Sequence, residues 1–387
     1  MKRSTICGES KLIVHIVFRF DYGGLENGVA NLTNSISGGS FRHVIVALTE
    51  ATEFSDRVND SVQIIALGKK PGKDIAAYFR LYKLLRKLKP AVVHTRNIGT
   101  LDCSFIAFLA RVPIRIHGEH GWDVFDPDGT NAKYRWMRNF FSRFVHQFVT
   151  VSADLREWLV TVVGISPNKV THIFNGVDTQ RFCPGPVLAI ADAPSWFEDD
   201  NVVVVGTVTR FSAIKDPMNL IEAFIDVYGR TSAMETPVRL VMLGDGELYC
   251  KAVARLKEAE VTDAAWLPGS RDDVADLLRG MDVFVLASFR EGISNTILEA
   301  MASGLPVIAS NTGGNIELVD EGVTGALVPP ADTGALAAAI ATYVCDNALR
   351  DDHGVASQKR ANGEFSLNAM VENYTNLYTS ALAEKGI

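Results

Sequence analysis

Short, unbroken runs of β-branched and other apolar residues recur along this chain, with gaps between them long enough for a helix: KLIVHIVF (11–18), HVIVAL (43–48), VQIIAL (62–67), AVVHT (91–95), IRIHG (114–118) and QFVTVS (147–152). A strand with one wet face alternates polar and apolar residues, whereas a strand covered by helices on both faces reads as a continuous apolar run. The N-terminal half therefore predicts a parallel α/β sheet. The pattern lapses in RFCPGPVLAIADAPSWFEDD (181–200), which holds three of the fourteen prolines, and an interdomain linker is expected there. It resumes with NVVVVGTV (201–208), VRLVMLG (238–244), VTDAAWLPG (261–269), DVFVLAS (282–288), LPVIAS (305–310) and GALVPP (325–330), separated by helical patterns such as PMNLIEAFIDVY (217–228) and NTILEAMAS (295–303). The expected layout is an N-terminal doubly wound, Rossmann-like domain over 1–184, a linker over 185–200 and a second such domain over 201–365. An amphipathic helix over 366–387, with Met370, Tyr374, Leu377 and Tyr378 on one side, could stay with the second domain or cross back to the first.

Ligands in such sheets bind beyond the carboxyl ends of the strands, so two facing sheets would place a site in a central cleft. Charge is distributed unevenly: residues 1–190 carry +8 and residues 191–387 carry −15, within an overall −7. A basic N-terminal half suits an anionic acceptor or membrane surface, and the overall charge argues against nucleic acid as partner. Five scattered cysteines without a CxxC pair suggest neither a disulfide framework nor a zinc site, which fits a reducing cytoplasm. The apolar run Leu12–Phe18 is too short for a membrane span and reads as a first buried strand.

The sharpest chemical signal is FREGISNTILEAMASGLPVIAS (289–310). Glu291 falls on the turn after the strand DVFVLAS, and Glu299 about a turn and a half into the following helix. Between them, Gly292, Ile293 and Ser294 would present backbone N–H groups at a positive helix end, which is an anion site suited to a diphosphate. Glu299 is then placed for ribose hydroxyls and Glu291 for the sugar.

Together with GTVTRFSAIKDP (206–217), VMLGDGE (241–247), NGVDTQRF (175–182) and GGLENGVANL (23–32), this segment resembles the retaining glycosyltransferases of family four, which have the GT-B fold. The resemblance spans nearly the whole chain and implies transfer of a sugar from a nucleoside diphosphate sugar, UDP first and GDP second, to a glycan or lipid-linked acceptor. It implies that Arg210 and Lys215 grip the donor pyrophosphate, where fixed cations stabilise the charge that grows on the leaving phosphate, so that no metal or other cofactor is required. It further implies that the Gly23-Gly24 loop, Gly24 above all, closes on the donor, and that a histidine of HGEHGWD faces the sugar; His120 is preferred, with His117 its rival. The resemblance also implies same-face displacement, since no residue stands out as a covalent nucleophile. Backbone groups near Gly244, Pro268 and Gly269, with Leu267 or Leu298 nearby, are expected around the base. Asp126-Pro127-Asp128 spells a metal-binding DxD pattern, but its Pro/Gly setting reads better as a turn.

Two stretches combine cations with apolar residues at helical spacing: 69–90, with eight basic residues against one acidic, and 133–144, where Trp136, Phe140 and Phe141 interleave with cations. Either could rest on the anionic inner face of a cytoplasmic membrane, or simply bury a stripe on the sheet. Rival readings of the whole chain are a nucleotide-sugar epimerase of the same architecture, a sugar phosphorylase, and a catalytically silent nucleotide- or glycan-binding subunit. Intact Arg210, Lys215, Glu291 and Glu299 speak against the last.

Overall fold

The structure, a computed structural model, describes residues 10–36, 40–122, 126, 129–231 and 237–387. The chain divides into two compact units, Met1–Asn175 with Leu367–Ile387, and Gly176–Ser366.

The first unit is built on β1 (Lys11–Val17), β2 (Phe41–Ala47), β3 (Gln63–Ala66), β4 (Val92–Arg96), β5 (Ile114–Glu119), β6 (Gln147–Thr150) and β7 (Val170–His172). They form a parallel sheet in the order β3-β2-β1-β4-β5-β6-β7. Its helices are α1 (Gly24–Ile36), α2 (Ile75–Leu88), α3 (Cys103–Leu109), α4 (Ala132–Phe141) and α5 (Ala153–Thr161). The unbroken apolar runs of β1 and β4 follow from two-sided burial. Leu12, Val14 and Ile16 pack with Leu81 and Leu85 of α2, while Ile13 and Val92 pack with Leu32 of α1.

The second unit carries β8 (Val203–Val208), β9 (Val238–Leu243), β10 (Ala265–Gly269), β11 (Val283–Leu286), β12 (Val307–Ser310) and β13 (Gly325–Val328), in the order β10-β9-β8-β11-β12-β13. Its helices are α6 (Pro217–Thr231), α7 (Tyr249–Glu258), α8 (Val274–Leu278), α9 (Asn295–Ala302), α10 (Asn315–Leu318), α11 (Thr333–Cys345) and α12 (Asn347–Glu364). The last helix, α13 (Leu367–Glu384), belongs to the first unit: Met370, Tyr374, Tyr378 and Leu382, four residues apart, bury one stripe against Ile13, Phe41 and Val92.

The units meet at Asn175/Gly176 rather than at residue 184. Residues 176–184 are tied into the second unit, where the Val177 N–H donates to the Phe365 carbonyl at 2.8 Å and Arg279 Nε to the Cys183 carbonyl at 3.1 Å. The segment 185–200, expected as a linker, packs on that same unit: Asp192 pairs with Arg271 at 2.6 Å, and Phe197 is buried edge-on against Trp266.

In each sheet the strand order reverses direction at one place, between β1 and β4 and between β8 and β11. Loops leaving the carboxyl ends of these strands diverge, and the crevice they leave is where doubly wound sheets hold ligands.

Candidate functional site

In the second unit the loops on either side of the reversal are 209–216, after β8, and 287–294, after β11. They are joined directly: the Phe289 N–H donates to the Ile214 carbonyl at 2.9 Å. Lys215, at the end of a short 3-10 turn, places its Nζ 2.5 Å from Glu291 Oε1, and Ser288 Oγ donates to the same oxygen at 2.6 Å. Glu291 is buried and Lys215 half-buried. A carboxylate held by a hydroxyl from behind fixes the ammonium in one position at the mouth of the crevice, where a flexible lysine would otherwise sweep solvent. The sequence reading aimed Glu291 at the sugar; here Oε1 serves to position Lys215.

Gly292, Ile293 and Ser294 lead from Glu291 into α9. Ser294 is the N-cap, its hydroxyl accepting from the Ile297 N–H at 3.3 Å. Glu299 lies partly buried in the second turn of α9. Two glycines missing from the sequence reading shape this turn. A Cβ on Gly313, whose φ is +51°, would lie 2.0 Å from the Glu291 carbonyl oxygen, and one on Gly314 would lie 2.1 Å from that of Gly292. The signal was legible as a Gly-Gly pair after an apolar strand, the same sign that drew notice to Gly23-Gly24.

Arg210 is exposed, and among the described residues its guanidinium has no partner. It lines a cleft of about 320 Å³ together with Gly244, Asp245, Ser270 and Thr296 of the first turn of α9. Gly244 is confined to glycine, since at φ +130° a Cβ would sit 1.9 Å from the Thr209 carbonyl oxygen. Its N–H, expected to meet a base, instead donates to the Gly269 carbonyl at 2.8 Å. Gly244 and Gly269 therefore shape the cleft by pinning β9 to β10, and the Leu267 carbonyl is likewise engaged, by the Tyr249 hydroxyl at 2.6 Å.

In the first unit, Gly23 and Gly24 open α1 after β1. A Cβ on Gly23 would fall 2.2 Å from Glu26 Oε2, so the carboxylate of the first helical turn folds over the glycine. Burial pushes the Glu26 carboxyl above its ordinary range. His120 lies just past the end of β5, its N–H donating to Asn97 Oδ1 at 2.8 Å, and its buried Nε2 lacks a partner among the described residues. Burial, then Arg96 and His117, lower it to about 3, so the ring is neutral, and this unpartnered Nε2 packs against Gly118. His117 is instead fully buried within β5, bonded through Nδ1 to Thr95 Oγ1 at 2.8 Å, with Nε2 3.4 Å from Glu119.

Behind His120 stands a buried polar cluster that the sequence reading passed over because its members sit inside strands. Arg96 Nη1 donates to His15 Nδ1 at 3.0 Å, which leaves the proton of His15 on Nε2, 2.9 Å from His43 Nδ1. His94 Nδ1 meets the Tyr378 hydroxyl of α13 at 2.9 Å. Burial, followed by Arg96, lowers His15, His43 and His94, with His43 at about 4. Arg138, counted among the surface cations of 133–144, turns inward and clamps Glu119 at 2.7 and 3.2 Å. Burial raises the Glu119 carboxyl, but Arg138 and His117 outweigh it and hold it at about 2. Asp126 accepts from the Asn131 N–H at 2.9 Å, ahead of α4; Pro127 and Asp128 lie outside the described residues.

Residues 22–181 match the family described as Glycosyltransferase Family 4, and residues 199–346 match Glycosyl transferases group 1. The UDP-Gal:alpha-D-GlcNAc-diphosphoundecaprenol alpha-1,3-galactosyltransferase of Escherichia coli is 30% identical over 317 residues, 81% of each chain. The capsular polysaccharide biosynthesis glycosyltransferase CapM of Staphylococcus aureus is 24% identical over 360 residues, 88% of this chain and 90% of that one. Among solved structures, Anabaena HepE in complex with UDP and glucose superposes with a TM-score of 0.78 over 96% of this chain and 100% of that one, at 18% identity.

Proposed function

Because the chain belongs to glycosyltransferase family 4 and has the GT-B fold of two Rossmann-like domains, we propose that it transfers a sugar from a nucleoside diphosphate sugar to a glycan or lipid-linked acceptor with retention at the anomeric carbon and without a metal ion. The observation that carries this reading is the fixed ammonium of Lys215, held by Glu291 and Ser288 at the strand-order reversal, with Arg210 in the neighbouring cleft. When the glycosidic bond to the nucleotide breaks, negative charge grows on the diphosphate; the preplaced Lys215 ammonium stabilises that charge without reorganising, and the exposed Arg210 guanidinium joins it from the neighbouring cleft. The diphosphate lies against the Gly292–Ser294 turn at the start of α9, with Glu299 directed at the ribose. His120, neutral and with Nε2 unpartnered, accepts or donates one hydrogen bond to a sugar hydroxyl. The departing phosphate takes the acceptor's proton as the new bond forms on the same face of the sugar.

UDP is the preferred nucleotide, supported by the UDP-Gal donor named for the Escherichia coli relative and the UDP bound to HepE; GDP is second. The acceptor class rests on the diphosphoundecaprenol and capsular polysaccharide in the relatives' names. Helices α2 and α4 are proposed to touch the anionic inner face of a cytoplasmic membrane. The buried stripe of α2 is Ala77, Leu81 and Leu85, whereas Ile75 and Phe79 are 81% and 56% exposed, so burial on the sheet does not explain them; Trp136 of α4 is 62% exposed. Among the described residues no helix is long and apolar enough to cross a membrane.

The test is turnover. The protein, with membrane extract as acceptor, is screened against UDP- and GDP-sugars with and without EDTA, and the anomeric configuration of the product is read by NMR. One sugar nucleotide consumed only with acceptor, unaffected by EDTA and giving the donor's own configuration, supports the proposal. Inversion of configuration, loss of turnover with EDTA, or conversion of the donor without acceptor would each contradict it.

A further inference from the structure

At the amino ends of β1, β4 and β5, the edge of the first unit's sheet opposite the carboxyl-end crevice, lies a cavity of about 610 Å³. Five cations line it: Lys11, Arg42, Arg86, Lys89 and Arg111. No aspartate or glutamate side chain is among its lining residues; Ile387, which ends the sequence and carries its terminal carboxylate, lines it as well, and none of the five cations is ion-paired to a described carboxylate, so the cations outnumber the anion five to one. Like charges gathered around one concavity repel each other and focus a positive potential into it.

Helix ends account for part of this arrangement. Lys89 and Arg111 follow the carboxyl ends of α2 and α3, and Arg86 sits in the last turn of α2, where a cation complements the helix dipole. Lys11 and Arg42 sit on the adjoining strands β1 and β2, where no helix end calls for them. Lys89 and Arg111 also adopt left-handed backbone conformations, φ 49° and 62°, that glycine would occupy at less cost. The floor is apolar, from Leu12, Leu85, Leu88 and Val112. Next to the lining residues Ala110 and Arg111, Phe108 and Leu109 of α3 are each 47% exposed. A cationic rim over an apolar floor, beside exposed apolar side chains, matches a ligand with a phosphate and an apolar part.

We propose that this bowl binds the phosphate group of an anionic amphiphile, at a site separate from the sugar-transfer site. For the lipid as source it rests on the proposed membrane contact of α2 and α4. The two are separable because Arg42 and Arg111 lie outside both helices.

The test uses the full chain and three double variants: R42Q/R111Q in the bowl, F79S/W136S on the exposed apolar faces, and R57Q/R156Q as a control that removes equal charge elsewhere in the unit. Circular dichroism melting first establishes that each is folded. Binding is measured to phosphatidylcholine vesicles with and without phosphatidylglycerol, and thermal stabilisation is measured with soluble glycerol phosphate. A cation beside an anionic surface contributes roughly fivefold in affinity, so R42Q/R111Q is expected to lose roughly 25-fold for anionic vesicles, with R57Q/R156Q close to wild type. Stabilisation by glycerol phosphate that R42Q/R111Q abolishes, without any vesicle effect, supports the phosphate site with a small soluble ligand as its occupant. If R42Q/R111Q matches wild type in both arms, or loses no more than R57Q/R156Q, the assignment is overturned. Loss of vesicle binding in F79S/W136S alone would uphold the membrane contact while removing the bowl from it.

Discussion

Acidification from about pH 7.5 to 5.5 should unfold the first unit selectively, because His15, His43, His94 and His120 are all held neutral inside it. Their folded values lie below the ordinary histidine value, with His43 at about 4 and His120 at about 3. In this window the unfolded chain therefore binds more protons than the folded one, and stability falls as pH falls below about 6.5. For one histidine that stays neutral when folded and titrates near 6.5 when unfolded, the loss over these two pH units is about 1.4 kcal/mol, so four together give roughly 5 kcal/mol. That is comparable with the whole stability of a modest domain. Glu119, held at about 2, contributes stability that is lost only in stronger acid, and Glu26, whose carboxyl is raised, acts with the opposite sign. The assay is urea unfolding followed by tryptophan fluorescence in a W196F/W266F background, which confines tryptophan to the first unit. The midpoint should drop steeply between the two pH values; His146 of the same unit, lowered to about 4 by partial burial and then Arg115, adds to the slope, so His43→Gln should remove about a fifth of it. A midpoint independent of pH over this range would refute the neutral-cluster reasoning.

Two substitutions probe the geometry of each unit. Arg138→Met leaves Glu119 buried without its clamp and should cost roughly 3–5 kcal/mol in urea unfolding; a loss below about 1 kcal/mol would mean the pair is solvated. Gly313→Ala drives a methyl group against the Glu291 carbonyl and displaces the turn that holds Lys215. Sugar transfer should fall at least about tenfold, read as turnover on the donor found by the screen, and an unchanged rate would show that the turn tolerates the shift.

The strands were legible because two-sided burial demands unbroken apolar runs, and the six runs of each half fall on β1–β6 and β8–β13. The short β7 escaped notice because Val170–His172 offers one buried residue. Helix α12 was missed for the opposite reason: it is polar along its length and buries mainly small or polar groups, His353, Gly354, Ser357 and Ala361, so no apolar stripe announces it. At the candidate site the residue types were readable but their pairing was not. Nothing in the spacing of Lys215 and Glu291, 76 positions apart, says that the carboxylate holds the lysine; that follows from β8 and β11 lying side by side. Likewise Gly244 was readable as a special glycine, but its N–H was already engaged by a neighbouring strand's carbonyl. The buried histidines looked like ordinary strand residues, since only sheet register brings His15 beside His43 and His94.

The central claim is that a nucleoside diphosphate sits in the second unit on cations held by the protein. Calorimetric titration of the full chain with UDP and GDP, repeated for Lys215→Ala in the presence of EDTA, tests it most directly. The account predicts saturable binding of one of the two nucleotides by the wild type, unaffected by EDTA, and weakened on the order of a hundredfold in a folded Lys215→Ala variant. Wild-type affinity in that variant, or binding abolished by EDTA, would contradict it.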